Sequence, residues 1–393
     1  MSVESRPLRV LMVLESVYPA SRGGGAEAQV RTLSKGLRAR GQRVTVLAPM
    51  LSHGPQERIS RVDGVPVCRL RYPRIRLLGG PLLWLCLAWF LFSRRHRYDV
   101  WHVHIAHHLG AVCAVMGKWL HKRVLIKVSG WWEMERGTLA ADAWPLSRLA
   151  YHCLLKADKW LAISRRIAAD LARKGIPASR IELVPNAVNT ARFRDIKRTA
   201  NDAPRFVFIG RLVDEKGLDT LIQAFADTVQ SYPAASLLIV GTGLLVTHLQ
   251  TLVAQLGITD RVTFAGHRDD IEACLADANI GVLPSRIEGL SNTLLESMAS
   301  GLPMVASRIS GNEDFVRPGE TGWLFEPDDR VGLADCLRNA AACTPREREA
   351  LGENARIVVE RQAGLDRVLN RLMELYRDNT QALPGTEVSK RSA

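Results

Sequence analysis

Apolar residues in this chain fall in short unbroken runs, separated by amphipathic stretches. Residues 9–14 (Arg-Val-Leu-Met-Val-Leu) read as a strand buried on both faces. A glycine loop, Gly23-Gly24-Gly25, leads from it into an amphipathic helix over about 26–40, which Gly41 stops. Val44 to Leu47 is the next strand, and similar runs occupy 65–70, 100–105, 124–128, 160–163 and 181–184. Strands alternating with helical segments predict a doubly wound α/β domain. The pattern restarts after Asn186-Ala187-Val188-Asn189 and a polar stretch at 194–204, with strands over 206–209, 236–240, 262–265, 280–283 and 304–307. A second Rossmann-like domain follows, with a hinge near 186–204. The expected division is 1–189, 190–362, a helix over 363–379 that returns to the first domain, and a polar tail at 380–393.

Length supports this division, because 393 residues exceed one ordinary core. An apolar content of 47% and a charged content of 24% exclude a disordered chain. Charge is unevenly placed. Residues 1–200 carry 34 Lys and Arg against 13 Asp and Glu, a net +21, whereas the rest carries 19 against 27, a net −8. The basic half suggests a polyanionic neighbour, nucleic acid or anionic lipid, or simply a solvated basic surface. Seven cysteines show no Cys-x-x-Cys pairing, and no signal peptide is evident, so a reducing cytoplasm is expected.

One segment stands apart. Residues 77–92 contain no charge and are bracketed by Arg74, Arg76, Arg94, Arg95 and Arg97. As a helix it would reach about 24 Å, short of a hydrocarbon core of roughly 30 Å. It reads as an interfacial helix, with arginines on headgroups and Trp84, Trp89 and Phe90 in the acyl boundary, or as a core helix packed on the sheet. The expectation is a peripheral protein on the inner face of the cytoplasmic membrane, touching anionic lipid through 77–97 and binding no nucleic acid.

The chemistry concentrates in the second half. Arg211 and Lys216 follow the strand at 206–209, at the sheet edge where α/β proteins bind ligands. A planar guanidinium and a compact ammonium suit a pyrophosphate. Downstream, a helix starts near Ser291-Asn292 and ends before Gly301 and Pro303, about three turns later. The amides of Gly289, Leu290, Ser291, Asn292 and Thr293 would form an anion site at its N-terminus. Glu288 lies just outside that helix and Glu296 just inside, placed to accept hydrogen bonds from sugar hydroxyls. Either glutamate alone would pass as a capping or surface carboxylate. Together with the upstream cations they describe a pocket for a nucleotide sugar.

Those residues belong to a longer ordered set. Gly23-Gly24-Gly25-Ala26-Glu27, Asp99-Val100-Trp101-His102-Val103-His104, Val184-Pro185-Asn186-Ala187-Val188-Asn189 with Phe193, and Gly210-Arg211-Leu212 with Glu215-Lys216-Gly217 come first. Val240-Gly241-Thr242-Gly243, Phe264-Ala265-Gly266, Glu288 to Glu296 and Gly311-Asn312-Glu313 complete it. In this order the chain resembles the family-four retaining glycosyltransferases of the two-Rossmann GT-B fold over nearly its whole length. The resemblance implies that Arg211 and Lys216 grip the donor pyrophosphate, that Glu296 holds the ribose and that Glu288 contacts the donor sugar. It places Gly24 and Gly25 near phosphate and acceptor, and His104 beside the reacting sugar. It also implies transfer with retention and no dedicated nucleophile, from a UDP- or GDP-sugar to a glycan or lipid-linked acceptor. Many relatives carry Thr-x-His-Gly or Thr-x-His-Asp where this chain has Ser129-Gly130-Trp131-Trp132-Glu133. Acceptor recognition there is altered, and Glu27, Ser129 and Glu133 are the acceptor-side candidates.

A metal reading of His102, His104, His107 and His108 finds no acidic or cysteine partner at ligand spacing, and the chain has no Asp-x-Asp. No metal and no cofactor are expected. Two other uses of the chain are conceivable: epimerisation or hydrolysis of a sugar nucleotide, and a non-enzymatic basic binding module. The second would leave both glutamates and both cations without work.

Overall fold

The computed structural model describes residues 6–19, 24–51, 57–76, 78–140, 145–196 and 202–378. Gly23, Leu77, part of the hinge stretch (197–201) and the polar tail lie outside them.

The first half forms an eight-stranded sheet in the order β3-β4-β2-β1-β5-β6-β7-β8. Its strands are β1 (Arg9–Val13), β2 (Arg43–Pro49), β3 (Ile59–Val62), β4 (Val65–Leu70), β5 (Val100–Val103), β6 (Arg123–Val128), β7 (Lys159–Ala162) and β8 (Ile181–Leu183). All neighbours pair in parallel except β3 with β4. Strand β6 is buried at every position, as a strand with helices on both faces must be. Periodicity did not reveal β3, because it is a four-residue edge strand without a buried position. Its signal was the turn: Asp63-Gly64, both at positive φ, closes a two-residue hairpin with β4.

The second sheet is entirely parallel, in the order β11-β10-β9-β12-β13-β14. It comprises β9 (Arg205–Ile209), β10 (Ser236–Val240), β11 (Val262–Gly266), β12 (Ile280–Leu283), β13 (Met304–Ser307) and β14 (Gly322–Phe325). Strand β14 also went unpredicted. In both sheets the first strand sits at the point where the order reverses, so ligand loops converge outside the strand carboxyl ends.

Two chain crossings join the domains side by side. Val188 donates to the carbonyl of Ala363 at 3.0 Å, and Leu365 returns a bond to the carbonyl of Val188 at 2.9 Å. Beyond that point helix Leu365–Arg377 lies on the first domain. Its Val368, Leu369, Leu372, Leu375 and Tyr376 join the core of α1 (Gly25–Ala39), β1 and β2. Packing is close enough that a Cβ on Gly36 would stand 2.6 Å from Leu369 Cδ1.

The uncharged segment becomes α2 (Gly79–Ser93). One face is core: Leu83, Leu87, Phe90 and Leu91 are buried against the sheet. Phe90 is therefore corrected from a lipid-facing to a packing residue, and Trp84 stacks on His108 with ring centroids 5.3 Å apart. The other face is open, with Leu85 66% and Trp89 69% exposed. Among the described residues no helix is long and apolar enough to cross a membrane.

Candidate functional site

The loop after β9 and the loop after β12 are drawn against each other. Gly217 has φ +62, and a Cβ there would lie 2.3 Å from the Pro284 carbonyl oxygen, so only glycine fits. The Arg286 amide donates to the Glu215 carbonyl at 2.8 Å. Its guanidinium reaches Asp214, Asp219 at 3.2 Å and Asp328 at 2.7 Å. This network holds a tight turn at Asp214–Lys216, from which the Lys216 ammonium pairs directly with the Glu288 carboxylate. Both side chains are about 15% exposed, so the pair sits at the floor of the cleft. Ser285 Oγ donates a further bond to Glu288 at 3.1 Å. Arg211 stands higher, 60% exposed, 3.5 Å from an equally exposed Glu215. It is free to swing onto a ligand. Arg286 was not singled out from the sequence; its position three residues after Leu283, at a strand end, was the available signal.

Beside Glu288 begins helix Asn292–Ala299. It has eight residues rather than the three turns expected, although it stops where the sequence placed the stop, at Gly301 with φ +79. Ser291 occupies the N-cap position but its side chain caps nothing; its hydroxyl pairs with Thr293 Oγ1 at 2.9 Å. The first-turn amides thus lack a side-chain acceptor and can receive an anion. Leu290 is a core residue, 4% exposed, that anchors this turn. Gly311 backs the loop from behind: φ is +83, and a Cβ would meet the Gly289 carbonyl oxygen at 2.4 Å.

Glu296 lies one turn into the helix, half-buried, with no hydrogen-bond partner among the described residues. Burial pushes its carboxyl up to about 7, although Arg192 nearby works in the opposite direction. A half-buried acid without a partner awaits a hydrogen-bond donor.

The first domain closes over this loop. Asn186 Nδ2 donates to the Leu290 carbonyl at 2.9 Å and to Asn292 Oδ1 at 3.0 Å. Gln29 Nε2 reaches the same Asn292 oxygen at 3.1 Å, and Asn292 Nδ2 donates to the Gly25 carbonyl at 3.2 Å. The Asn292 side chain is therefore an interdomain tie. Gln29 was missed, though it is a polar residue on the buried stripe of α1 with Val30, Leu33 and Leu37. Lys127, buried on β6, fixes Asn186 with a 2.8 Å bond; burial pushes its ammonium down to about 7. Gly24 precedes α1, where a Cβ would collide with the Glu27 carboxylate, and that carboxylate is itself bonded to Ser16.

Gly289 is the tightest point of the closure. A Cβ there would sit 2.8 Å from Ile163 Cδ1 and 2.9 Å from Gly130 Cα. Gly289→Ala should therefore hold the domains apart and lower turnover at least tenfold while leaving the melting temperature of the second domain nearly unchanged. Wild-type turnover in that variant would remove the closed contact from the reaction.

Several first-domain expectations need correction. Glu133 is fully buried and accepts from the amides of Ala106, Ser129 and Gly130 and from the Ser129 hydroxyl, at 2.6–3.0 Å. It shapes the loop and cannot touch an acceptor, and the Ser129 hydroxyl is committed to it. Burial raises its carboxyl to about 7 while those four donors pull it down. His104, just past the end of β5, is 1% exposed and is therefore covered by the protein rather than open to a sugar. Its ring stacks on His102 at 4.1 Å and neither nitrogen has a partner among the described residues. Burial, with His102 and Lys127 adding repulsion, holds it neutral, well below the usual histidine range. His102 is tied instead to the Tyr376 hydroxyl at 2.7 Å. The histidine run does have an acidic neighbour after all, since the fold brings Glu15 to within 2.9 Å of His107.

Two facing Rossmann-like domains, with a cation–carboxylate pair and an uncapped helix N-terminus between them, define a glycosyltransferase of the GT-B class. The description "Glycosyl transferases group 1" matches residues 189–358 and "Glycosyltransferase Family 4" matches 23–192. The chain belongs to the group 1 glycosyltransferases of family 4. It is 36% identical to the lipopolysaccharide core biosynthesis glycosyltransferase LpsE of Rhizobium meliloti over 41% of this chain and 48% of that one. It is 30% identical to the GDP-mannose-dependent alpha-(1-6)-phosphatidylinositol monomannoside mannosyltransferase of Mycobacterium tuberculosis, over 52% and 58% respectively. The matches thus span about half the length of these two relatives. Among solved structures, Anabaena Alr3699/HepE in complex with UDP superposes with a TM-score of 0.75 at 19% identity, covering 94% of this chain and all of that one.

Proposed function

We propose that the protein transfers a hexosyl unit, with retention, from a nucleoside diphosphate sugar to a glycan or lipid-linked acceptor during assembly of a cell-surface polysaccharide. The contact between Lys216 and Glu288 beside an uncapped helix N-terminus carries this reading. A bound pyrophosphate would take the ammonium and the first-turn amides, with Arg211 swinging in from the rim. Glu288 would then be released from Lys216 to the sugar hydroxyls, and Glu296 would hold the ribose. Fixed cations stabilise the departing diphosphate, so the donor half of the reaction needs no divalent ion. Among the described residues the site offers no group poised as a nucleophile on the sugar. Retention is then served by attack on the face the diphosphate leaves, with its own oxygen taking the acceptor proton. Named relatives fit this frame: one takes GDP-mannose, and HepE holds UDP. The nucleotide carrier here is UDP or GDP.

The test is incubation with radiolabelled UDP- and GDP-hexoses and a lipid extract from cell membranes. Label should enter the extractable glycolipid fraction. Release of free sugar alone, at the same rate with and without extract, would identify a hydrolase instead.

Membrane attachment is part of the proposal. Alongside α2 runs a groove of about 540 Å³ lined by Arg58, Arg71, Trp89, Arg94 and Arg97. None of these four arginines has an ion-pair partner among the described residues. Guanidinium groups beside an exposed apolar face suit an anionic bilayer surface. Replacing Leu85 and Trp89 together by Ser should reduce flotation with phosphatidylglycerol vesicles severalfold without unfolding, since both side chains face solvent. Unchanged flotation would take α2 out of the attachment.

A further inference from the structure

At the C-terminal edge of the first sheet, three side chains from two distant points of the chain converge. Glu15 follows β1, and His107 and His108 lie at the start of α3 (His108–Leu120). His107 Nδ1 is 2.9 Å from Glu15 Oε1 and 3.2 Å from His108 Nδ1, and ligand atoms of all three residues lie within 4.8 Å of one another. All three residues are half-buried, so the cluster can be reached from solvent.

As a hydrogen-bonded cluster it is incompletely satisfied. The line between the two imidazoles holds at most one proton. If His107 Nδ1–H points at Glu15, the His108 Nδ1 lone pair is left facing a nitrogen whose hydrogen is turned elsewhere. A cation satisfies all three atoms at once. Zinc takes imidazole nitrogen and carboxylate oxygen at about 2.0–2.2 Å, which puts neighbouring ligand atoms of a tetrahedral shell about 3.3 Å apart. The 2.9 and 3.2 Å separations lie close to that spacing, and the Glu15–His108 separation, within 4.8 Å, closes to it on binding.

Each ligand is also held from behind. Glu15 Oε2 accepts the Leu109 amide at 2.8 Å, which leaves Oε1 for the cluster. The His108 ring is clamped against Trp84 at 5.3 Å and 16°. The His107 ring lies 6.0 Å from that of Trp132. These contacts restrict the rotation of both rings, while His108 Nε2 has no hydrogen-bond partner among the described residues.

We propose that Glu15, His107 and His108 form a three-ligand site for a divalent zinc-class cation, with a fourth position open to water or an anionic oxygen. Two histidines and one carboxylate with an open position form a known zinc ligand class. Trp132 opens the short helix Trp132–Glu135 just after Gly130, which faces Gly289 of the second domain, so the cluster lies near the seam between the domains. This site is separate from Lys216 and Arg211 and leaves their clasp on the donor unchanged.

The experiment is titration of the EDTA-treated, dialysed full chain with zinc chloride by calorimetry, followed by cobalt(II) with absorption in the visible. One equivalent should bind, and cobalt should give the intense bands of a tetrahedral shell. His107→Ala/His108→Ala should weaken zinc binding at least a hundredfold and abolish the bands. Glu15→Gln, which can still accept from the Leu109 amide, should weaken binding at least tenfold. If the double variant fails to fold, as read by its thermal melt, His108→Gln alone carries the test with an expected loss of at least tenfold. No stoichiometric binding to the wild type would overturn the assignment. So would binding that survives in the folded histidine variants, which would place the zinc elsewhere.

Discussion

Lys216→Ala loses turnover by a factor of about 10²–10³, the usual cost of removing one preorganised group from a developing anion. The side chain sits at the cleft floor, held in the Asp214–Lys216 turn by contacts that involve only backbone and Arg286. Its removal therefore leaves the loop in place. Two effects follow. The pyrophosphate loses the enclosed ammonium, and Glu288 keeps its bond from Ser285. A carboxylate next to an unneutralised diphosphate repels it, so nucleoside diphosphate affinity should fall about tenfold to a hundredfold, the worth of one charge-assisted hydrogen bond. Single-turnover rates and diphosphate binding by calorimetry measure the two separately. Wild-type turnover in a folded Lys216→Ala protein contradicts the clasp. Arg211→Ala should be milder, because that guanidinium is open to solvent and screened.

Glu296→Gln gives the second large effect, and its sign depends on pH. In the free protein burial holds this carboxyl near 7, against an ordinary value of 4.5. Ribose hydroxyls donate to the ionised form, so affinity for an intact sugar nucleotide should rise as pH goes from 6 to 8 and then level off. Glu296→Gln should bind about tenfold more weakly at pH 8 and lose this dependence. Stability moves the other way. Between the unfolded and folded values the native state binds the extra proton, so stability falls as pH rises from about 4.5 to 7. Above that window the unpaired carboxylate costs on the order of 1–3 kcal/mol, once partial solvent access is allowed for. Glu296→Gln should accordingly melt higher than the wild type at pH 8 and at nearly the same temperature at pH 4. A flat pH profile of donor affinity in the wild type would remove Glu296 from the ribose site.

What could be read from the sequence follows from where each signal is stored. Strands inside a sheet announce themselves as apolar runs, and β4, β10, β12 and β13 begin and end where the runs do. The half-exposed edge strand β3 carries no such signature. The contact of Lys216 with Glu288 rests on two loops whose sequence order and spacing are distinctive, so the pairing of those loops could be anticipated. Side-chain direction could not. Glu133 looked like a free acid in a ligand loop, yet three amides and a hydroxyl turn it inward. Asn292 looked like the start of a helix and became a bridge to Gln29, Gly25 and Asn186. Those ties link residues more than a hundred positions apart, and no local pattern encodes them. The proximity of Glu15 to His107, ninety-two residues later, is of the same kind.

The central claim is that fixed positive groups in the second domain hold the leaving diphosphate while neighbouring acids read the sugars on either side. A crystal structure with an unhydrolysed sugar nucleotide tests it most directly. The account predicts the pyrophosphate within hydrogen-bond distance of the Lys216 ammonium and the first-turn amides of helix Asn292–Ala299, the ribose on Glu296, and Glu288 moved from Lys216 to the donor sugar. A nucleotide bound away from this cleft, with the pair of Lys216 and Glu288 intact, would contradict it.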